Sequence, residues 1–595
     1  MLALQPTRSK TAVVVGLVLI LAAAVWLIVG QSAIAGGRTW TSDADFDVGG
    51  LQGVNHDAPN SNQLQLNVSG STFPIMWIAN AGEDTVSKID TQTGKELARY
   101  RTWFDVGIHG AWNGPAPSRT AVDSDGNVYV ANRHFDGNQP DVIKILSTGG
   151  LDRNGSGSIE TSADTDASGT ISGSEILPLV DTNGNNKIDG GEIRDERIAW
   201  AAQVGGAGML GRSLCIGTDG NIWLGTYSDA MYYKVSSADG SVLAGPVDIS
   251  PDTPYGCLVD GNGTLWSASL GSYLGELNTS ANTATVHNHG AFGGDYGIAI
   301  GNGKVYQGSY PYIEYDPTTG TFSSPAVTTF YALGVAVDGN GDIFAGPSSG
   351  GMCKFKPDGT AAWAGDGCVP AQPGTGHVRG VVVDGDNNVW AVHLNDNNIS
   401  KFRGSDGAPL GVFPVGTSPY TYSDATGLAV LSNTTPTGFW TVTYDNGTAG
   451  SQWGTVIWNT EAPAGSNGGV PAGATLQVKV RTSDSQADLE NQTYQAVSSG
   501  TAFSALGRFI QIQVKLVAAP DGTSPVLYDL AVQPVGEATP TPATPTAVAA
   551  VQQLPTTGGA GGDATDAAPW VLLGVGAAIL AAGGLTLAVQ RRRIR

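Results

Sequence analysis

One phrase recurs through the middle of the chain: a short aliphatic strand, a turn rich in Asp, Gly and Asn, and a second strand that starts with an aliphatic–aromatic pair. The pairs are Val128-Tyr129, Ile222-Trp223, Leu265-Trp266, Val305-Tyr306, Ile343-Phe344 and Val389-Trp390. When one insertion is left out, the phrase returns about every 38 to 47 residues, the period of a four-stranded propeller blade. The repeat therefore predicts a β-propeller, in which each unit buries its core against its neighbours.

The two ends of this array complement each other. Ile75-Met76-Trp77 has the character of a second strand without a first, and Gly427-Leu428-Ala429-Val430 has that of a first strand without a second. Joining the two closes a ring, which leaves no exposed sheet edge. The sequence therefore predicts a seven-bladed β-propeller over residues 73–432, whose C-terminal strand completes its N-terminal blade.

The blade phrase resembles that of NHL-type and streptogramin-lyase-like propellers, from about Phe73 to Leu431. The resemblance implies the fold but little about activity, because one fold hosts many chemistries. In the lyases a close set of His and Glu side chains on the blades does the work. Here His393 is the histidine that such a second strand offers, and no Glu-x-His pair accompanies it. No catalytic residue is therefore predicted.

An insertion at residues 150–196 has the spacing of calcium-binding loops. Two stretches match the twelve-residue EF-hand pattern, with oxygen ligands at positions 1, 3, 5, 7, 9 and 12. The two sets are Asp164, Asp166, Ser168, Thr170, Ser172 and Glu175, followed by Asp181, Asn183, Asn185, Lys187, Asp189 and Glu192. Calcium takes six to eight oxygens, which each loop can supply with a backbone carbonyl and a water.

The surroundings of these loops differ from those of helical EF-hands. The short link between them contains Pro178, and no helix is predicted before Asp164. The insertion therefore resembles dockerin-type loops and predicts a rigid extracellular calcium staple. A third stretch, from Asp152 to Glu160, follows the same pattern but has Ala163 at position 12, where the bidentate acid belongs. The alternative interpretation is an acidic, solvated hairpin without a metal.

Aromatic and histidine side chains are frequent in the loops that enter the predicted first strands. In a propeller these loops gather at one mouth of the central channel, a concave place for a ligand. The candidate ligand face consists of Trp103, His109, Trp112, Tyr255, Tyr296, Tyr331 and His377. Rings beside Gly and Asp suit a sugar or a peptide segment, and the alternative is that they cap the blade cores.

Longer alternating strands follow the array and predict a β-sandwich of jelly-roll type at 433–535. The N-terminal segment 36–72 holds strand-like stretches that no blade needs. Because ring closure brings the entry and exit of the propeller together, we expect residues 41–68 to add a strand to the sandwich. Phe46 and Leu66 would then be buried there.

The four cysteines allow two disulfides in an exported protein. Cys353 and Cys368 fall within one predicted blade, where a bond would close a short loop. Cys215 and Cys257 fall on first strands of adjacent blades, one register step apart. Because opposite faces of neighbouring sheets meet, this second pair is also allowed.

The two ends of the chain carry export and anchoring signals. Residues 1–35 have the basic start, apolar run and small-residue cleavage site of a signal peptide, with an uncleaved anchor as the alternative. Residues 536–553 predict a Pro/Thr-rich stalk. Residues 554–595 resemble the cell-wall sorting signal of sortase substrates, with an apolar segment at 570–589, a basic tail and the motif Leu554, Pro555, Thr556, Thr557 and Gly558. The resemblance implies a sortase and the cell wall as partners, with a plain membrane anchor as the alternative.

The net charge of the chain argues against some classes of partner. Asp and Glu outnumber Lys and Arg by 52 to 30, and a net charge of −22 argues against nucleic acid and anionic lipid. The sequence thus predicts an all-β, calcium-binding protein on a bacterial cell surface that binds an extracellular glycan or protein for adhesion or recognition. The alternatives are a surface lyase or hydrolase acting at the channel mouth, and a purely structural envelope component.

Overall fold

The computed structural model describes residues 37–535, apart from 58–59, 67–73, 169, 291–295, 329, 423, 428–436, 462–469 and 520–522. The predicted signal peptide, stalk, sorting motif and apolar segment 570–589 lie outside these residues. Within the described part of the chain, no helix is both long and apolar enough to cross a lipid bilayer.

The N-terminal segment contributes short strands and one helical turn. These are β1 (Arg38–Trp40), α1 (Asp43–Phe46), β2 (Gly50–Gln52), β3 (Val54–Asn55) and β4 (Gln65–Leu66). Ser42 caps the turn, because its hydroxyl oxygen accepts a hydrogen bond from the backbone N–H of Asp45. The turn leaves Phe46 fully buried.

Seven antiparallel sheets follow in chain order, one of three described strands and six of four, and each strand pairs with the next along the chain. The first sheet consists of β5 (Ile75–Asn80), β6 (Thr85–Asp90) and β7 (Glu96–Arg101). The second consists of β8 (Pro117–Val122), β9 (Val128–Asn132), β10 (Asp141–Ile145) and β11 (Ile198–Gln203). The third consists of β12 (Gly211–Ile216), β13 (Ile222–Thr226), β14 (Met231–Val235) and β15 (Val242–Asp248).

The remaining four sheets of this array repeat the same order. The fourth consists of β16 (Gly256–Val259), β17 (Thr264–Ala268), β18 (Tyr273–Asn278) and β19 (Thr283–Asn288). The fifth consists of β20 (Ile298–Gly301), β21 (Lys304–Gly308), β22 (Tyr312–Asp316) and β23 (Thr321–Ser323). The sixth consists of β24 (Ala332–Val337), β25 (Ile343–Pro347), β26 (Met352–Phe355) and β27 (Cys368–Val369). The seventh consists of β28 (Val378–Val383), β29 (Val389–His393), β30 (Asn398–Phe402) and β31 (Pro409–Pro414).

One aspartate builds the turn between the first and second strands of a sheet. The carboxylate of Asp123 accepts hydrogen bonds from the backbone N–H groups of Asp125 and Asn127, at 2.9 and 3.0 Å. The same pair of contacts recurs at Asp260, Asp338 and Asp384. An aspartate that bonds its own backbone two residues on favours a turn, so the repeated phrase is the local cause of the hairpins.

The innermost strands contact one another in chain order, from β5 through β8, β12, β16, β20 and β24 to β28. Segment 419–427 lies between the last sheet and the first. The backbone N–H of Tyr420 donates to the carbonyl of Ala79 in β5 at 2.8 Å. The hydroxyl of Thr426 donates to the carbonyl of Val383 in β28 at 2.9 Å. This segment therefore joins the two ends of the array.

The joining segment starts earlier than the sequence predicts. The expected strand was Gly427–Val430, and residues 428–430 lie outside the described residues. Instead Pro419 pairs with Asn80 of β5, and the N–H of Trp77 donates to the carbonyl of Ala425 at 2.9 Å. The physical reason is that tyrosines of this segment are buried among other rings, a packing effect that an aliphatic pattern does not reveal.

The C-terminal module, residues 437–535, contains β32 (Thr437–Asp445), β33 (Gln452–Glu461), β34 (Thr475–Ser483), β35 (Gln495–Val497), β36 (Ala502–Leu506), β37 (Phe509–Val517), β38 (Val526–Pro534) and a 3-10 helix (Gln486–Asn491). Its two sheets have the orders β1-β38-β33-β36 and β2-β32-β37-β34-β35. Every second residue of β37 is buried, as expected of a strand with one face on a core. The two sheets share that core.

The N-terminal segment belongs to this module, as predicted. Strand β1 pairs with β38, and β2 pairs with β32. Phe46 and Leu66 are buried in the shared core, and the indole N–H of Trp440 donates to the carbonyl of Phe46 at 2.9 Å. The array is therefore inserted between two parts of one composite module.

Both predicted disulfides form. Cys215–Cys257 joins β12 to β16 of the next sheet, and Cys353–Cys368 joins β26 to β27 within one sheet. The inter-sheet bond lies at the innermost strands, and both of its cysteines are buried. It therefore holds β12 and β16 together.

Candidate functional site

The insertion lies between β10 and β11 and contains two 3-10 turns, Gly173–Glu175 and Gly190–Glu192. In its first loop, carboxylate oxygens of Asp164, Asp166 and Glu175 all lie within 4.8 Å of one another. The backbone N–H of Ser168 donates to both aspartates, at 3.0 and 2.9 Å. Three converging carboxylates form an oxygen set that suits a calcium ion.

The second loop gathers its predicted residues by side-chain contacts. One carboxylate oxygen of Asp189 accepts hydrogen bonds from the amides of Asn183 and Asn185, at 2.9 and 2.8 Å. Asp181, the first residue of the loop, accepts from the backbone N–H groups of Gly184 and Asn186. The ammonium group of Lys187 lies 3.6 Å from Asp189, within ion-pair distance. Position 7 contributes its backbone carbonyl in such loops, so this lysine side chain need not be a ligand.

The last acid of each complete loop bridges two backbone positions. One oxygen of Glu175 accepts from the N–H of Thr165 at 2.7 Å, and the other accepts from the N–H of Ser172 at 3.1 Å. Glu192 repeats both contacts at the matching positions of the second loop, at 2.6 and 3.0 Å. These N–H donors lower the pKa of both carboxyl groups, which favours their charged form.

The third stretch, 152–163, receives its missing acid from elsewhere in the chain. One oxygen of Glu196 accepts from the N–H of Arg153 at 2.7 Å, and the other accepts from the N–H of Glu160 at 3.0 Å. These are positions two and nine of the stretch, the same two positions that the last acids of the complete loops contact. The sequence leaves the third loop without an acid at Ala163, and the fold supplies a buried one.

The insertion also contacts the C-terminal module. The hydroxyl of Thr493 donates to the carbonyl of Gly150 at 2.7 Å. Arg197, directly after Glu196, donates to Asn491 and to the carbonyl of Glu490, both at 3.3 Å. The loops therefore stand at the junction between the array and the module.

A second group of side chains lies where loops enter the innermost strands. We call it the mouth cluster, and it consists of Trp112, Phe135, Tyr227, Tyr255, Tyr296, Tyr331, Tyr420 and Tyr422. Of the predicted ligand face, it brings together Trp112, Tyr255, Tyr296 and Tyr331. Tyr255 and Tyr296 are buried, with ring centroids 4.9 Å apart. Trp112 is 44% exposed and its ring lies 5.1 Å from that of Tyr420, so the cluster reaches the surface.

The other three predicted face residues lie outside the mouth cluster. Trp103 is buried in the core between the first two sheets, with its ring 4.4 Å from that of His134. His109 hydrogen-bonds the carboxylate of Asp84 at 2.9 Å, and although burial opposes it, hydrogen bonding raises its pKa. His377 is half-buried, and burial with a neighbouring arginine lowers its pKa.

Four arginines that were not predicted lie against the mouth cluster. Each guanidinium stands over a ring: Arg119 over Tyr422 at 3.3 Å, Arg133 over Tyr420 at 4.6 Å, Arg212 over Tyr255 at 4.4 Å and Arg379 over Tyr296 at 5.6 Å. Three of them also share the ring of Trp112, at 5.1, 5.7 and 5.9 Å. A cation is attracted by the aromatic face beneath it, more strongly when the pair is desolvated.

Position in the repeated phrase is the signal that could have revealed two of these arginines. Arg212 and Arg379 are the bulged residues at the start of β12 and β28. Tyr255 and Tyr296 stand at the same place in the phrase, one residue before β16 and two residues before β20. A bulge re-aims a side chain, and bulges are frequent beside active sites. The repeat thus directs one residue of several sheets at the mouth.

Charge at the mouth cluster is not balanced by acids in the described residues. Ion pairs in the described residues involve other arginines than the four at the mouth, namely Arg38, Arg99, Arg101, Arg403 and Arg508. Burial lowers the pKa of Arg133 to about 10. Burial raises the pKa of Tyr255, but Arg212 and Arg119 outweigh it and lower the value to about 8. The phenol of Tyr255 is therefore the acid that responds to the arginines.

The histidines on the strands do not form a catalytic set. His393 is buried and its Nε2 lies 2.8 Å from the hydroxyl of Ser400, while burial lowers its pKa. The Nε2 atom of His287 lies 2.7 Å from a carboxylate oxygen of Glu276. That pair lies on the outer strands β18 and β19, away from the mouth cluster.

No family model and no curated protein matches the sequence. Solved structures do match. Virginiamycin B lyase from Staphylococcus aureus is 10% identical with a TM-score of 0.35, over 55% of this chain and 90% of that one. A streptogramin B lyase is 13% identical with a TM-score of 0.36, over 61% of this chain and 97% of that one. A protein from Lactobacillus plantarum is 11% identical with a TM-score of 0.38, over 58% of this chain and 98% of that one.

The described residues form an all-β protein of many four-stranded sheets. At 10 to 13% identity and TM-scores of 0.35 to 0.38, these matches say nothing about the mouth cluster or the insertion.

Proposed function

We propose that this protein is a calcium-stapled β-propeller of the cell surface that binds an extracellular ligand at the mouth cluster, in adhesion or recognition. The observation that carries the proposal is the convergence of aromatic and arginine side chains on one set of loops, with Trp112 reaching solvent. Loops on a rigid scaffold are where binding residues gather. Trp and Arg are also enriched among residues that dominate binding energy.

The scaffold in this proposal is a seven-bladed propeller followed by a jelly-roll-like β-sandwich. Support for the blade number comes from the seven sheets and from the contacts of their innermost strands in chain order. Segment 419–427 would complete the first blade, since it bonds both β5 and β28. Support for the sandwich comes from the core that the two C-terminal sheets share.

Calcium is the metal we propose for the insertion, at three loops rather than two. The first acid of the third loop behaves like that of the second: Gly157 N–H donates to Asp152 at 2.9 Å, and Asn186 N–H donates to Asp181 at 3.0 Å. The last acid is Glu196. Ions held there would neutralise acids that otherwise repel one another and would keep the junction with the C-terminal module rigid.

The surface location rests on the two ends of the chain. A signal peptide at 1–35, the motif from Leu554 to Gly558 and the apolar segment 570–589 support export and anchoring, with a sortase and the cell wall as partners. The test is fractionation of cells that express Thr557→Ala protein. We expect wild type to be released by cell-wall digestion and the variant to need detergent. Equal extraction of both by detergent would favour a plain membrane anchor.

Binding is tested with the calcium-loaded full chain on an array of glycans and surface proteins. We expect Trp112→Ala to weaken binding about tenfold, as loss of a ring at the centre of a site does. The matched control is Leu506→Ala, because Leu506 is 64% exposed in the C-terminal module. Loss of binding in the control alone would place the ligand on the module instead.

A surface lyase is the second candidate, favoured by the lowered pKa of Tyr255. A phenolate can take the proton from a carbon beside a carboxylate that arginines hold. The C–H electron pair then forms a double bond, and the group on the next carbon leaves with its electrons and is protonated. Tyr255 is 2% exposed, which is why binding is the first proposal. An unsaturated product that wild type forms and Tyr255→Phe does not would reverse the order.

A further inference from the structure

The mouth cluster concentrates positive charge in an acidic protein. The chain has a net charge of −22, yet four arginines from the loops and strands of three sheets meet the same group of rings. Burial lowers the pKa of Arg133, and the neighbouring charge of Arg212 lowers it further. A fold collects like charges in this way where an opposite charge is to be bound.

One donor of each of these arginines is left without an acceptor, while other donors of Arg119, Arg133 and Arg379 bond backbone carbonyls or a tyrosine hydroxyl. Nε of Arg119, Arg212 and Arg379 and one terminal nitrogen of Arg133 are buried without a hydrogen-bond partner in the described part of the chain. Arg119, Arg133 and Arg212 are at most 7% exposed. Buried donors without partners are rare in native proteins, and a missing ligand or ion is one physical reason for them.

The surroundings of the arginines indicate what bears the opposite charge. Arginine presents a planar fork that matches a carboxylate in a bidentate manner. The exposed groups beside the fork are rings: Trp112 is 44% exposed, and Tyr310, 5.1 Å from the ring of Tyr331, is 54% exposed. Flat rings suit the faces of sugars better than the irregular outline of an acidic peptide.

We propose that the mouth cluster binds an acidic saccharide, with the carboxylate of a uronic acid held by Arg119, Arg133, Arg212 and Arg379 and the sugar ring against Trp112. This inference rests on the proposed function, because it names the ligand class of the same site. It adds that charge, rather than ring stacking alone, selects the ligand.

The pKa of Tyr255 should report whether a ligand is bound at the mouth cluster. Its phenol faces Arg119 and Arg212, and the phenols of Tyr296, Tyr420 and Tyr422 pack around it. Without a ligand the arginines favour the phenolate. A bound carboxylate takes over their charge, so it raises the pKa of Tyr255 and delays tyrosinate formation.

The test compares oligogalacturonate with its methyl ester, using the calcium-loaded full chain. We expect the acid to bind about tenfold more tightly than the ester, because hydrogen bonds between charged groups are the strong ones. Arg379→Gln should lose this preference and Arg379→Lys should keep part of it. The matched control is Arg403→Gln, since Arg403 is exposed and pairs with Asp406. A tyrosinate titration of wild type with and without oligogalacturonate needs no variant.

Several outcomes would overturn the inference. Equal affinity for acid and ester, or binding of neutral sugars alone, would remove charge recognition and leave the proposed binding function standing. Capture of polyglutamate but not of the oligosaccharide would replace the saccharide with an acidic peptide. A tyrosinate titration unchanged by bound oligogalacturonate would place the carboxylate away from the arginines. Absence of binding to any glycan or protein would remove both proposals.

Discussion

The insertion and the mouth cluster are built in opposite ways. In the insertion, each complete loop takes its acids from twelve consecutive residues, and backbone N–H groups of the same loop orient them. At the mouth, side chains between Trp112 and Tyr422 come from six sheets and a closing segment. A site of consecutive residues can be predicted from the sequence. A site built from single residues of many repeats forms only once the repeats are arranged in space.

Glu196 stands between these two kinds of site. It completes a loop of consecutive residues from beyond the loop, through contacts at 2.7 and 3.0 Å.

Removal of calcium should have the largest effect, and the effect should be local. Each complete loop leaves several acids close together when no ion is bound, so their repulsion should open residues 152–192. We expect a chelator to make this stretch sensitive to proteases while the array stays folded, as mapped by mass spectrometry of the fragments. Calorimetry without calcium binding at millimolar concentration would contradict the prediction.

Loss of the inter-sheet disulfide should destabilise the assembled site. The Cys215–Cys257 bond spans 42 residues, and in the loop-entropy model it contributes about 4 kcal/mol. The Cys353–Cys368 bond spans 15 residues and contributes about 3 kcal/mol. Paired Cys→Ala variants are compared by chemical denaturation.

Removal of each disulfide is the control for removal of the other. The bond between β12 and β16 holds the strands next to Arg212 and Tyr255, so its removal should also weaken ligand binding. Removal of Cys353–Cys368 should leave binding unchanged. If binding weakened only when Cys353–Cys368 was removed, the ligand site would not depend on how β12 and β16 are held together.

Glu196→Gln should remove one of three calcium ions and leave the complete loops unaltered. The amide keeps the shape of the side chain but loses the charge that calcium requires. Calorimetry should count three ions for wild type and two for the variant. Glu192→Gln is the matched control, because it should also lose one ion but from a loop that sequence alone predicts. Two ions for wild type would show that the third loop does not bind calcium.

Titration of Tyr255 should give the smallest effect. Its pKa in the folded protein is lowered to about 8, below the ordinary value of 10.0. The stabilisation that this provides is fully present above the ordinary value and is lost as the pH falls through about 8. Tyrosinate absorbance should therefore show one tyrosine that ionises early, and Arg212→Gln should move it upward. An unchanged curve in that variant would mean that Arg212 does not act on Tyr255.

Much of the scaffold could be predicted because its causes are local. The Asp-centred turns at Asp123, Asp260, Asp338 and Asp384 explain why one phrase produces one hairpin after another. Both disulfides and the docking of the N-terminal segment followed from where such hairpins must lie. The calcium-loop residues were also legible, since the ligand spacing is a property of consecutive residues, while calcium binding itself stays a prediction.

What only the tertiary structure decided are contacts between residues far apart in the chain. The amino-acid sequence by itself determined the hairpins, the alternating strands and the two complete loops, because hydrogen bonds between near neighbours specify them. It did not determine that Glu196 completes a third loop, that segment 419–427 joins the ends of the array, or that Trp103 is buried away from the mouth. Nor did it reveal that all four arginines meet at the mouth, because each faces a ring from a distant part of the chain that no local pattern contains.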